Sequence, residues 1–294
     1  MNTQANIIVR IAPVVFVFLW ATGFVGAKYG TRDAEPLTFL AIRFAITFII
    51  LAPIVFAFFR PPRDAVPQIL HSFFVGCLIQ TVYLGCVFFA IDQGLAAGVS
   101  SLIVALQPFF TAIFAWFFLS ERLSWFKLVC FLIALGGVLM VLFPDLNFVN
   151  TMSGITVVTL TASIVATIGI SLGAVYQKRC VTSLNLWVST ASQFAGATVL
   201  TTLAALVFET GHIAWTSYTI LSLAWLVLVL SIGAVALLMY LIRRGDAASV
   251  ASLFFLVPVV AMGMSWVLFD ERLTLVQVLG SALVVASVAF ASRK

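Results

Sequence analysis

The sequence predicts an all-α polytopic membrane protein of ten transmembrane helices, built as two inverted five-helix repeats around a central cavity. Composition is the first of three observations behind this. Hydrophobic residues make up 63% of the chain and charged residues 9%, with a mean hydropathy of +1.21, whereas a soluble domain carries about 25% charged residues. So few charges cannot cover a water-facing surface, and lipid must be the solvent. Second, the apolar residues gather into ten runs, each near the roughly 20 residues that a helix needs to cross the hydrocarbon core. Third, the second half repeats the first. GLAAGVSSL at 94–102 returns as GDAASVASL at 245–253, Pro108 as Pro258, and Glu121-Arg122-Leu123 as Glu271-Arg272-Leu273. The register is 151 residues for the first match and 150 for the other two, so a one-residue indel separates the copies. Five runs per copy is an odd number, so the copies insert upside down relative to one another. Their expected limits are 1–146 and 147–294, with no stretch between runs long enough for a separate globular domain.

In chain order the runs fall at 7–25, 36–59, 69–91, 96–119 and 126–143, then at 155–176, 186–208, 218–242, 248–269 and 276–291. Long continuous runs exclude a barrel, whose strands would alternate over short segments. The first run could pass for a signal peptide, but it lacks a small-residue cleavage site and further runs follow at once, so it reads as a retained helix. Phe16, Trp20, Phe24 and Lys28 follow one of its faces, an aromatic wall ending in a cation. Such a wall suits a zwitterion with an apolar side chain, while Lys28 also fits a residue that snorkels to the headgroups.

The second run places Arg43 seven residues in, roughly 10 Å below the helix start. A charge at that depth costs about 2.5–3.5 kcal/mol on insertion scales, so it faces a cavity or a partner. It either attracts a substrate carboxylate or braces the bundle through free carbonyls. Its counterpart 150 residues on is Gln193, also polar and at the same depth. In the third run Gln80 and Tyr83, three apart, share a helical face near mid-bilayer. The fourth run opens on small residues that permit close helix approach, Ser101 among them, and breaks at Gln107-Pro108; the ninth repeats this with Ser252 and Pro258. Each proline frees a carbonyl, and paired helix breaks in corresponding places point to the binding site of a carrier. The predicted cavity is therefore lined by Trp20, Arg43, Gln80, Tyr83, Ser101, Gln107, Gln193, Tyr240 and Ser252, with Pro108 and Pro258 as gating breaks. The two Glu-Arg turns read as structural, with Ser124 and Thr274 placed to cap the helices that follow.

Orientation follows from Lys and Arg in short loops. One set of loops and termini carries eleven of them (Arg10, Arg60, Arg63, Arg122, Lys127, Lys178, Arg179, Arg243, Arg244, Arg293, Lys294), the opposite set only Lys28, Arg32 and Arg272. Both termini are thus expected in the cytoplasm. Trp116, Trp125, Trp187, Trp215 and Trp266 lie near run ends, as headgroup anchors do; Trp20 and Trp225 lie well inside and are expected between helices or on a cavity.

Several function classes are disfavoured, an intramembrane enzyme being the remaining alternative from another class. The formal charge of +5 is scattered over run ends rather than clustered, which argues against a nucleic-acid partner. Cys77, Cys86, Cys130 and Cys180 show no metal spacing, and no metal or cofactor is expected. Three of them sit in apolar runs as small hydrophobes, and Cys180 falls in a cytoplasmic loop where disulfides do not persist. An intramembrane enzyme needs a buried nucleophile with a base, or a His/Asp cluster; neither is visible. Asp92, Glu209, Asp246 and Asp270 lie at run edges, and His71 and His212 at or beyond run ends. Proton relays are built from buried carboxylates or histidines, so facilitated exchange is expected rather than proton coupling.

Taken together, these motifs resemble the drug/metabolite transporter superfamily, specifically its EamA-type members. The residues that carry the resemblance are WATGFVGAK at 20–28, Pro36, Arg43, the stretch 96–101, Leu106-Gln107-Pro108, Glu121-Arg122-Leu123 and Gly136-Gly137. In the second copy they are Tyr240, 247–252, Pro258 and Glu271-Arg272-Leu273. The resemblance covers essentially the whole chain and is greatest to the YddG-type exporters of aromatic and other amino acids. It implies a bacterial inner-membrane protein that moves small metabolites through a central cavity. A nucleotide-sugar or other organic-phosphate carrier of the same superfamily is the alternative, since Arg43 and Lys28 suit a phosphate as well.

Overall fold

Backbone groups in lipid have no water to bond, so apolar runs satisfy them internally as helix. The computed structural model describes residues 3–59, 61, 63–122, 125–142, 154–244, 253–271 and 274–291. Its helices are α1 (Thr3–Gly30), α2 (Pro36–Phe58), α3 (Val66–Asp92), α4 (Ala97–Leu119) and α5 (Trp125–Leu142). After them come α6 (Val157–Cys180), α7 (Leu186–Phe208), α8 (217–244), α9 (Val257–Phe269) and α10 (Leu275–Ala291). Seven of these contain stretches long and apolar enough to cross a membrane, and α5, α9 and α10 are shorter apolar helices. The expected start of the ninth run, with Ser252, lies outside the described residues. Among the described residues the only β pairing is an isolated bridge between Ala34 and Ile213.

Local chemistry sets the helix starts. The hydroxyls of Thr156 and Thr216 accept from the N–H groups of Thr159 and Thr219, and Asn185 Oδ1 accepts from Trp187 N–H. The cap expected at Thr274 forms: its hydroxyl accepts from Gln277 N–H while Gln277 Oε1 accepts from Thr274 N–H. Such reciprocal caps satisfy two orphan donors at once. Ser124 lies outside the described residues.

Loop contacts define two end faces. On one, Lys28, Asp92, Gly94, Tyr218 and Phe269 surround a surface hollow, which gathers the ends of α1, α3 and α9 and the starts of α4 and α8. The Glu209 carboxylate, just past α7, accepts from Leu37 and Thr38 N–H at 2.8 and 2.7 Å, an anionic cap on the N-terminus of α2. On the opposite face Gln68 Oε1 accepts from the N–H groups of 182–184, and Lys178 pairs with Glu121 at 2.6 Å. This face gathers the ends of α4 and α6 and the starts of α3 and α7. We call the two the Lys28 face and the Lys178 face.

Packing is tightest where side chains are smallest. Between α3 and α7, Ser72 faces Ser189 at 3.0 Å and Thr81 faces Thr201 at 2.8 Å. A Cβ on Gly76 would lie 1.9 Å from the Gln193 carbonyl oxygen, so only glycine permits this approach. The antiparallel pair α5 and α10 meets through Gly137 and Gly280, whose backbones nearly touch. Small residues that admit such contact are the usual interface in lipid. The outer surface is the reverse: Phe56, Phe58, Phe117, Trp125 and Phe208 stand exposed, as side chains facing lipid tails do.

Candidate functional site

Two adjoining chambers lie between the helices, of about 120 and 230 Å³. Trp20 and Phe24 of α1, Ile79 and Tyr83 of α3 and Ile170 of α6 line both and form their common wall. The smaller chamber adds Arg43 from α2, Gln80 from α3, Phe194 from α7, and Leu230 and Ser231 from α8. The larger adds Ser101, Gln107 and Pro108 from α4, Phe254, Val257 and Pro258 at the start of α9, and Val285 and Val288 from α10. Of the residues expected on a cavity, the structure brings Trp20, Arg43, Gln80, Tyr83, Ser101, Gln107, Pro108 and Pro258 to the lining of these two chambers.

Arg43 dominates the electrostatics. Its side chain is 3% exposed. One Nη2 hydrogen is donated to Ser231 Oγ at 3.2 Å, and its Nε is buried without an acceptor. Among the described residues no carboxylate is paired with it. The surrounding rings of Trp20, Phe24, Tyr83, Phe88 and Phe194 keep the local dielectric low, which strengthens any interaction the guanidinium makes.

The helix around the chambers is not uniformly α. Cys77–Leu84 of α3 and Trp225–Ala234 of α8 are wound as π-helix. The windings hold Gln80 and Tyr83 on one side of the small chamber and Leu230 and Ser231 on another. Such widened turns gather at functional sites. At Pro108 the chain is broken differently: Ala105 and Leu106 form a turn between two helical stretches. Thr167 Oγ1 and Ser171 Oγ of α6 stand 3.5 and 3.1 Å from the Ile103 and Gln107 carbonyls, while each donates at 2.7–2.8 Å to its own preceding turn. One hydroxyl proton is shared in each case. Loosened backbone beside the cavity is thus held by α6.

The larger chamber has a regularity that the smaller lacks. Ten of its sixteen lining residues form five pairs 150 positions apart: Trp20 with Ile170, Phe24 with Ala174, Val104 with Phe254, Gln107 with Val257, and Pro108 with Pro258. The smaller chamber holds two such pairs, Trp20 with Ile170 and Gln80 with Leu230, and Arg43 stands without its mate. Gln193 lines neither chamber; its Nε2 donates to Ser189 Oγ at 3.3 Å, and its backbone abuts Gly76. Tyr240 is half-buried against the core and also lines neither. Ser252 lies outside the described residues.

Other expectations resolve in part. Trp20 packs edge-on against Phe254 with centroids 5.1 Å apart. Trp225 faces outward, its Nε1 donating to Thr22 Oγ1 at 2.9 Å. Phe16 is buried in the core rather than on the cavity. The Lys28 ammonium pairs with Glu271 and lies 4.4 Å over the Phe269 ring. Sequence reasoning missed Ser231, Phe254 and the two π-windings. Ser231 was one hydroxyl among many in apolar helix, and no local residue pattern marks a π-turn.

The profile of the EamA-like transporter family matches residues 8–143 and again 156–293. A probable amino-acid metabolite efflux pump of Escherichia coli (strain K12) is 29% identical over 92% of this chain and 90% of its own length. An uncharacterized transporter of Archaeoglobus fulgidus is 28% identical over 95% and 96%. A solved crystal structure aligns over 96% of both chains with a TM-score of 0.63 at 19% identity, a likeness of fold alone.

Proposed function

The chain belongs to the EamA-like transporter family, a multi-pass integral membrane transporter, and from that premise we propose that it exports amino acids with apolar or aromatic side chains by alternating access. The observation that carries this is Arg43, a buried guanidinium whose Nε lacks an acceptor, in a small aromatic chamber that shares a wall with a larger apolar one. A carboxylate takes two parallel hydrogen bonds from such a fork. The body of the substrate then lies in the larger chamber between Trp20, Phe254 and the two prolines. The efflux-pump name of the Escherichia coli relative supports the same substrate class.

In this reading residues 1–146 and 147–294 are inverted copies. Support comes from α1 ending on the Lys28 face while α6, 150 residues on, ends on the Lys178 face. The five residue pairs around the larger chamber would then straddle the seam between copies. Both termini lie in the cytoplasm of a bacterial inner membrane, with the Lys28 face outward, as the eleven-to-three bias of basic residues requires.

No carboxylate or histidine is among the described residues that line either chamber, so transport runs as exchange down a substrate gradient. The test uses purified protein in liposomes. Preloaded aromatic amino acid is expected to drive counterflow of labelled amino acid, and an imposed pH gradient alone is expected to drive no accumulation. Uphill uptake from the proton gradient would overturn the exchange mechanism. Inhibition by nucleotide sugars or organic phosphates, with amino acids inert, would overturn the substrate class. Within the series, Trp20→Ala is expected to cost aromatic substrates more than small ones, because stacking contributes about 0.5–1.5 kcal/mol beyond area burial.

A further inference from the structure

Among the described residues each end face carries a Lys–Glu pair, and the two pairs are the same contact made twice. Lys28, near the end of α1, meets Glu271 in the turn between α9 and α10; Lys178, near the end of α6, meets Glu121 in the turn after α4. Both lysines and both glutamates are 150 positions apart. The turns that present the glutamates are duplicated in backbone detail. Ser120 and Asp270 are the two described non-glycine residues with positive φ, at 56° and 52°. Their N–H groups donate to the Ala115 and Ser265 carbonyls, as do those of Glu121 and Glu271 at 3.3 and 3.4 Å. A left-handed non-glycine residue costs about 1 kcal/mol or more and persists where its surroundings demand it. Here it aims a glutamate across to the other half of the chain on either face.

The pairs differ in setting. Lys28 and Glu271 have side chains 34% and 14% exposed, with Lys28 also over the Phe269 ring, whereas Lys178 and Glu121 are 65% and 47% exposed. An exposed pair is weak and screened by salt. A partly desolvated one whose partner is removed leaves a charge without compensation and resists breaking.

We infer that the two pairs are matched latches, each tying the first helix of one half to the hairpin turn of the other, and that both are shut in this structure. This inference rests on the alternating-access reading. Opening one face breaks one latch while the other holds. The Lys28 latch is the stronger, so the carrier rests closed on that face and loads from the Lys178 face, the order an exporter needs.

The test uses the full chain in membrane vesicles of both orientations. Its four cysteines are replaced and a reporter, Ala105→Cys, is placed on the larger chamber. An impermeant maleimide is applied to each face in turn. Lys28→Ala is expected to raise labelling from the Lys28 face about tenfold, and Lys178→Ala to raise it from the Lys178 face by about fivefold or less. The exchanged pair, Lys28→Glu with Glu271→Lys, is expected to return labelling to the starting rate, which also covers the case in which Lys28→Ala alone fails to fold. Unchanged labelling in both alanine variants would overturn the latches, as would equal increases on both faces or no rescue by the exchanged pair. Thermal stabilisation of the unsubstituted protein by aromatic amino acids is read in parallel. If it is present, the carrier reading stands whatever the labelling shows; if no amino acid stabilises the protein, that reading falls on separate grounds.

Discussion

Arg43→Met is expected to abolish amino-acid export while making the protein more stable to heat. The two effects have one origin. A guanidinium at bilayer depth costs about 2.5–3.5 kcal/mol on insertion scales, and here it recovers one hydrogen bond, to Ser231, with Nε left without an acceptor. Methionine of similar length removes that cost and gives up roughly 1 kcal/mol for the lost bond. Binding moves the other way. A carboxylate deprived of a desolvated charged partner loses about 2–5 kcal/mol, or roughly 30-fold to several thousandfold in affinity. Arg43→Lys keeps the charge but not the fork, and falls between. The measurement is the melting temperature with and without saturating aromatic amino acid. If Arg43 were a brace for the bundle, Arg43→Met would melt lower and still respond to ligand.

The residues that sequence could place are those whose position alone makes them expensive or whose spacing repeats. Arg43 was legible because a charge seven residues into an apolar run needs a reason. Pro108 and Pro258 stood out because a proline that recurs at 150 residues marks corresponding places in the two copies, and both line the larger chamber. The helical runs were legible from their apolar composition, but only seven of the helices are long and apolar enough to cross a membrane, α5, α9 and α10 being shorter. What escaped depends on relations between distant helices. Ser231 matters only because α8 crosses α2 at Arg43, 188 residues away. Lys28 and Glu271 meet across 243 residues, and neither alone distinguishes a latch from a headgroup contact.

Gln193 shows the limit of arguing from the repeat. As the mate of Arg43 it was expected on the cavity, but repeat-related positions share an environment only where their neighbours match. Gly76, which lets α3 close on the Gln193 backbone, corresponds to Leu226 in the second half, a fully buried and bulkier residue. Leu226 packs instead against Gly26 of α1, so the two positions have different neighbours. With that departure from the repeat, Gln193 lies in a packed interface while Arg43 lines a chamber.

That departure gives the second large effect. Gly76→Ala is expected to lower the yield of folded protein sharply and to depress the melting temperature, although alanine is the better helix former by about 1 kcal/mol. The added methyl would sit 1.9 Å from the Gln193 carbonyl oxygen, 2.5 Å from its Cα and 2.5 Å from its carbonyl carbon. All three are backbone atoms of a helix and cannot swing aside as a side chain would. Relief requires α3 and α7 to part, which also stretches the Ser72–Ser189 and Thr81–Thr201 contacts that flank the glycine. Overpacking in a tight interior costs about 1–3 kcal/mol and more where backbone must move. The π-winding begins one residue later, at Cys77, so whatever variant does fold is expected to carry Gln80 and Tyr83 out of register with Arg43 and to bind amino acids weakly. Gly136→Ala is the matched control: nothing lies within 4 Å of its added methyl, and helix propensity alone predicts a neutral or slightly stabilised protein. Equal melting temperatures for the two variants would show that the close approach of α3 and α7 does not hold the cavity in shape.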